Sequence, residues 1–253
     1  MPSLWFIVPA HGRAELARIC LRQLRRTCDT LTDHGVEATA VVIADDENLD
    51  TAKDLGFAWI RRDNRFVSRK FNDGIQLALD RNYNRRPADY VVPCGSDDWV
   101  DWQLFLDLPQ GRTMVGFQRM SFVREDGREL TARRIDYEGG CGIRIYPRAV
   151  MQSVGFRPAD EDRKRGCDTS ILVNLKRANA LRRIEHRALE SWQIVDWKSR
   201  HDQVTSYAEI AARHRTDEVA DPFDALTGRY PDEALSDMRE HYSRRPRTSL
   251  VIA

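Results

Sequence analysis

The chain has 253 residues, enough for one large α/β domain or one domain with a modest appendage. Hydrophobic residues make up 42% and charged residues 31%, a balance that excludes an intrinsically disordered chain. The formal net charge of +1 gives no global field toward nucleic acid or an acidic membrane surface, so no nucleic-acid partner is expected.

Five of the 40 basic residues are lysines, which leaves 35 arginines, the side chain whose planar fork suits phosphate. The cysteines, Cys20, Cys28, Cys94, Cys141 and Cys167, form no CxxC pair and predict reduced thiols in a cytoplasmic protein. No apolar run reaches the ~20 residues of a transmembrane helix.

Leu4 to Val8 is a continuous apolar run that ends at Pro9 and fits a buried parallel strand. Glu15 to Leu31 carries apolar residues at helical spacing. Ala38 to Ala44 is a second strand, ending at Asp45-Asp46. Asn48 to Leu55 predicts a short helix stopped at Gly56, Phe57 to Ile60 a third strand, and Phe71 to Leu79 a helix. Tyr90 to Pro93 is a fourth strand, followed at once by Gly95-Ser96-Asp97-Asp98. Strand and helix thus alternate to about residue 108, which predicts a mostly parallel sheet with helices on both faces.

Beyond residue 110 the pattern changes. Thr113 to Val123 predicts a strand or hairpin arm, with a turn at Gly127. A Gly139-Gly140-Cys141-Gly142 cluster precedes an apolar strand, Ile143 to Tyr146. Pro147 to Val154 predicts a short helix with proline in its first turn. Asp160 to Arg165 is a charged loop, Thr169 to Ala180 a helix, and 215–253 a helical, partly mobile tail with Arg244-Arg245 near its end. The division expected is 1–212 as the main domain, split at 108/109 into a nucleotide-binding and an acceptor half, with 213–253 as a helical extension.

In open parallel sheets, ligands bind beyond the carboxyl ends of the strands. Three polar clusters fall there: Pro9-Ala10-His11-Gly12-Arg13, Asp45-Asp46 and Ser96-Asp97-Asp98. Hard cations such as Mn²⁺ or Mg²⁺ take carboxylate ligands together with substrate phosphates. A diphosphate leaving group calls for such a cation, because negative charge builds on it as the bond to sugar breaks. Ser-Asp-Asp is equally at home as the capped start of a helix.

The string Ala88-Asp89-Tyr90-Val91-Val92-Pro93-Cys94-Gly95-Ser96-Asp97-Asp98-Trp99 resembles the strand and DxD-type motif of family 2 glycosyltransferases with the GT-A fold. Gly95 departs from it, standing where the family carries Asp. Phe6 to Arg13 resembles the family's first strand and nucleotide loop, Val42 to Asp46 its second strand, and Arg69 to Gly74 the segment beside the diphosphate. The resemblance spans roughly residues 4–205. It implies a GT-A, Rossmann-like fold and transfer of a sugar from a nucleoside diphosphate sugar, with UDP the expected nucleotide, to a hydroxyl acceptor of unspecified kind.

Asp97 and Asp98 are then the expected metal ligands, completed by the late histidine His201. Donor contacts are expected from Pro9, Ala10, His11, Arg13, Asp45, Lys70, Asn72, Ser96, Asp97 and Lys198. Gly155-Phe156 followed by Cys167-Asp168 resembles the segment that supplies the general base, which makes Asp168 the expected base and implies inversion; Cys167 replaces the family's usual Glu. Asp168 also reads as a helix-start residue stabilised by the dipole. Asp160, Glu161 and Asp162 are rival bases, and Trp99 is the tryptophan expected nearest the site. Two other readings stand beside this one. A nucleotidyltransferase acting on a sugar phosphate would need a Gly-rich loop after the first strand, where only Pro9 to Arg13 stands. A nucleotide-sugar-binding module without turnover would account for Gly95 and Cys167.

Overall fold

The computed structural model describes residues 1–244 apart from 46, 127–128, 137–139, 165, 191, 199–215 and 220. The first half follows the predicted alternation: β1 (Ser3–Pro9), α1 (Ala14–Asp33), β2 (Glu37–Ala44), α2 (Asn48–Asp54), β3 (Ala58–Arg61), α3 (Val67–Leu79) and β4 (Tyr90–Pro93). Helix α3 begins four residues before the predicted Phe71, because Ser68 and Lys70 are buried along with Asn72. Polar residues on an inward face hide a helical period from a reading based on apolar spacing.

The remaining elements are β5 (Asp98–Val100), a 3₁₀ turn at Trp102–Phe105, β6 (Thr113–Phe117), β7 (Arg119–Asp126), β8 (Glu129–Asp136), β9 (Arg144–Pro147), α4 (Arg148–Gln152) and α5 (Cys167–Arg177). They continue with β10 (Arg183–Arg187), β11 (Ile194–Lys198), β12 (Thr216–Val219), α6 (Pro222–Leu226) and α7 (Asp232–Ser243).

A seven-stranded sheet runs β10-β6-β9-β4-β1-β2-β3. The pairs β1–β2, β2–β3, β1–β4 and β6–β10 are parallel, and only β9 runs against its neighbours β4 and β6. The sheet is therefore mostly parallel, as expected. Along β1, Leu4, Phe6 and Val8 face one apolar cluster, which includes Leu21, Leu24 and Leu31 of α1. Ile7 faces a second cluster, with Ile75, Ala78 and Leu79 of α3 and Ile171 and Leu175 of α5. Burial on both faces is what makes these strands continuously apolar.

A second sheet, β12-β8-β7-β11-β5, was not legible in the sequence. The run Thr113 to Val123 is two strands, β6 and β7, that part at Gln118 and enter different sheets. The C-terminal segment is helical over much of its described length, as expected, but it is not helix alone. It adds the strand β12, and its helices α6 and α7 bury Phe223, Leu226, Leu235 and Met238 in a third apolar cluster with Leu16 and Ile19 of α1. No helix among the described residues is long and apolar enough to cross a membrane.

Candidate metal centre at the strand ends

Because β1, β2 and β4 are parallel neighbours, their carboxyl ends share one edge of the sheet. Pro9 closes β1, Ala10 is 1% exposed with its N–H bonded to the Ile43 carbonyl (3.0 Å), and His11 is exposed. Gly12 (φ 56°) and Arg13 (φ 48°) are both left-handed, and this pair turns the chain from β1 into α1. Left-handed backbone suits glycine and strains arginine. The turn is held from outside by Asn48, whose Nδ2 donates to the Gly12 carbonyl at 3.2 Å. It aims the guanidinium of Arg13 at Asp97, Nη1 to Oδ2 2.9 Å.

Gly95 to Asp98 form a tight turn between β4 and β5. The Asp98 carboxylate folds back to accept the Gly95 N–H at 2.5 Å. A Cβ on Gly95 would stand 2.6 Å from Asp97 Oδ1 and 2.7 Å from Asp98 Oδ2. The glycine that departs from the DxD-type pattern is therefore the residue that makes room for the two carboxylates that follow. Ser96 is buried in the same turn.

A third carboxylate completes the group. Asp196 of β11 lies directly across the antiparallel ladder from Asp98, so the two side chains share a face. Asp97, Asp98 and Asp196 each place a carboxylate oxygen within 4.8 Å of the others. They are 8%, 8% and 7% exposed. Burial holds the thiols of Cys20 and Cys94 well above the usual range, and the negative charges of Asp97 and Asp98 push the same way. Largely buried like charges are costly unless cations answer them, as Arg13 does for Asp97. An all-oxygen set is the donor chemistry of Mg²⁺ and Mn²⁺.

Sequence reasoning missed Asp196. The available signal was a lone acid inside the apolar run Ile194-Val195-Asp196-Trp197, a strand position where a charge needs a reason. His201 lies outside the described residues. Lys198 closes β11 in register with Arg124. Trp99 is 1% exposed and packs away from the carboxylates, so it offers no face to a ligand.

Of the other expected donor residues, Asp45 and Lys70 lie at this edge, and Asn72 on α3 faces the loop at 159–161. Asp45 is exposed, and its carboxylate accepts from Asn64 Nδ2. Lys70 is 1% exposed. Its ammonium donates to the Ala10 carbonyl at 2.6 Å and to Asn64 Oδ1, which ties the β1 loop to α3. Asn72 is fully buried, donating to the Ala159 carbonyl (2.8 Å) and Glu161 Oε1 (3.0 Å) and accepting from Ala159 N–H (2.9 Å). Ser68 adds bonds to the Glu161 and Arg163 carbonyls, and Arg69 an ion pair with Asp162 at 2.7 Å. The charged loop 160–163 is thereby tethered to α3.

Asp168 stands in the first turn of α5, where a carboxylate is favoured by the helix dipole. Its side chain is 40% exposed. Gly142 lies beneath it, close enough that a Cβ there would be 3.8 Å from Oδ2. Arg144, 4% exposed, donates to the Gly140 carbonyl (3.2 Å) and the Asp168 carbonyl (3.3 Å), with Nη1 3.8 Å from Asp168 Oδ2. Arg144 is a second residue the sequence reading did not single out. A basic residue within an apolar strand was its signal.

Fold and site define an α/β protein whose mostly parallel sheet carries a carboxylate centre at its carboxyl edge. No protein-family model matches the chain, and no curated protein matches it in sequence. Among solved structures, the chain is similar to a mutant of Drosophila β-1,4-galactosyltransferase 7 in complex with manganese, UDP-Gal and xylobiose. The TM-score is 0.44 at 13% identity, covering 76% of this chain and 66% of that one. The chain thus spans just under two thirds of that protein's length.

Proposed function

We propose that this chain is a metal-dependent glycosyltransferase of the GT-A type, moving a sugar from a nucleoside diphosphate sugar, UDP-linked, to a hydroxyl acceptor with inversion. The observation that carries the reading is the convergence of Asp97, Asp98 and Asp196 at the carboxyl edge of the sheet, beside the Pro9–Arg13 loop and Asp45. The resemblance of the strand-end strings to family 2 glycosyltransferases supports it independently.

Asp97, Asp98 and Asp196 hold Mn²⁺ or Mg²⁺, with His201 as a further ligand. The cation's contribution is to stabilise negative charge on the departing diphosphate. Pro9, Ala10, His11 and Asp45 receive the nucleoside. Arg13, at the positive end of α1, and Lys198 answer phosphate charge. Ser96 shapes the turn that carries the ligands, and Lys70 and Asn72 set the loops on either side of the donor. Asp168 takes the acceptor proton as its oxygen attacks the anomeric carbon, a role that requires an exposed carboxylate within reach of a water-filled surface. Arg144 holds that carboxylate's helix turn in place from below.

Isothermal titration with UDP, with and without Mn²⁺, tests the core of this reading. Binding is expected to require the metal, to vanish in Asp97→Ala/Asp98→Ala, and to weaken at least tenfold in Asp196→Asn. UDP binding that ignores Mn²⁺ or survives the double substitution overturns it.

A further inference from the structure

Chains of contacts connect all three carboxylates to the C-terminal segment. Side chains of adjacent strand residues point to opposite faces. Asp98 and Asp196 therefore face the site, while their neighbours Trp99 and Trp197 face the other way and touch each other, ring centroids 4.9 Å apart. Trp99 meets Tyr230 at 5.1 Å. Trp197 meets Phe223 at 5.8 Å and Tyr242 at 6.0 Å. All three partners belong to 222–243. The first carboxylate is reached by another route: Asp97 pairs with Arg13, the residue immediately before α1. Glu15, in the first turn of that helix, pairs with His241 of α7, Oε2 to Nδ1 2.9 Å. His241 is 4% exposed, and its helix buries Leu235 and Met238 against Leu16 and Ile19.

We infer that the segment 222–243 is a positioning element of the metal centre, setting the spacing of Asp98 and Asp196 through Trp99 and Trp197, and that of Asp97 through the Glu15–His241 pair and Arg13. The inference rests on the metal-binding role proposed above for the three carboxylates. The physical reason is packing. Two short strands, three and five residues long, hold the ligands. Such strands keep a fixed separation only if the side chains behind them are locked, and close-packed aromatic rings transmit displacement rather than absorb it. Supporting residues of this kind change metal affinity by roughly 10–100-fold when altered.

The test uses the full chain and Mn²⁺ as the probe, with free Mn²⁺ read by electron paramagnetic resonance and folding by circular dichroism. Phe223→Ala is expected to weaken Mn²⁺ binding at least tenfold. Glu15→Ala, at a half-exposed position outside the apolar cluster, is expected to weaken it at least threefold with little change in melting temperature. Leu79→Ala, an equally buried cavity at the far end of α3, is expected to lower the melting temperature and leave Mn²⁺ affinity unchanged. Wild-type affinity in folded Phe223→Ala and Glu15→Ala overturns the inference. Loss of affinity in Leu79→Ala equal to that in Phe223→Ala overturns it too, because a general loss of stability would then account for both. A wild-type chain that binds no Mn²⁺ overturns the proposed function itself, a result none of the variants can mimic.

Discussion

At the scale of single residues, Gly95 separates the sequence pattern from the chemistry. Any Cβ at this position would meet two carboxylate oxygens at 2.6 and 2.7 Å, so a side chain here displaces the carboxylates from their present places. The atoms it would meet are the ends of flexible side chains, so the backbone can stay while the carboxylates swing away. Gly95→Ala should therefore leave the fold nearly intact and weaken Mn²⁺ binding about tenfold, the scale expected when ligands lose their support. Calorimetric Mn²⁺ titration beside a thermal melt checks both halves; an unchanged affinity would mean that the carboxylates are not held as described. Asp196 makes the complementary point. It lies 98 positions after Asp98 in the chain, and only the antiparallel register of β11 on β5 brings them opposite.

At the scale of elements, the short strands and the C-terminal helices depend on each other. Asp221 caps α6, its carboxylate accepting from Phe223 N–H at 2.8 Å, and Pro222 pre-sets the first turn. This places Phe223 against Trp197 at the start of the helix. Helix α7 then docks on α1 through residues with almost no exposure, Leu235 at 2% and Met238 at 0%. Truncation of a buried leucine leaves a cavity that costs ~2–5 kcal/mol. Leu235→Ala should lower unfolding free energy within that range, measured by urea denaturation. A cost below ~0.5 kcal/mol, typical of exposed positions, would show that α7 is not docked in solution.

For the molecule as a whole, all five cysteines are free and buried, as the scattered spacing predicts for reduced thiols. Burial pushes Cys28 and Cys141 up from 9.0 to about 12. In the unfolded chain these thiols ionise near their ordinary value; in the native protein they stay protonated. The unfolded state thus binds fewer protons above pH 9, and the sign of linkage is destabilising. The contribution of these thiols is fully present below that pH and is lost as pH rises toward about 12. Denaturation midpoints should fall across this alkaline window, and less steeply in a Cys28→Ala/Cys141→Ala variant. A midpoint independent of pH there would contradict the burial. A thiol-reactive dye at pH 8 should label the native chain far more slowly than the unfolded one.

The sequence by itself determined the first half of the fold. Leu4 to Val8, Ala38 to Ala44 and Tyr90 to Pro93 are strands because they are apolar on both faces, and each ends in residues the core does not need. Local periodicity carries that information, so the Pro9–Arg13 loop, Asp45 and the Asp97-Asp98 pair were legible at the edge of a parallel sheet. Only the tertiary structure decided the second sheet, the division of Thr113 to Val123 at Gln118, and the docked C-terminal segment, because cross-strand register and helix docking are set between residues far apart in the chain. The same long-range pairing supplied Asp196, placed Arg144 beneath Asp168, turned Trp99 into the core, and gave Lys70 and Asn72 partners on neighbouring loops. A carboxylate pair can be read from one strand end, but a three-carboxylate centre exists only once β11 has found β5.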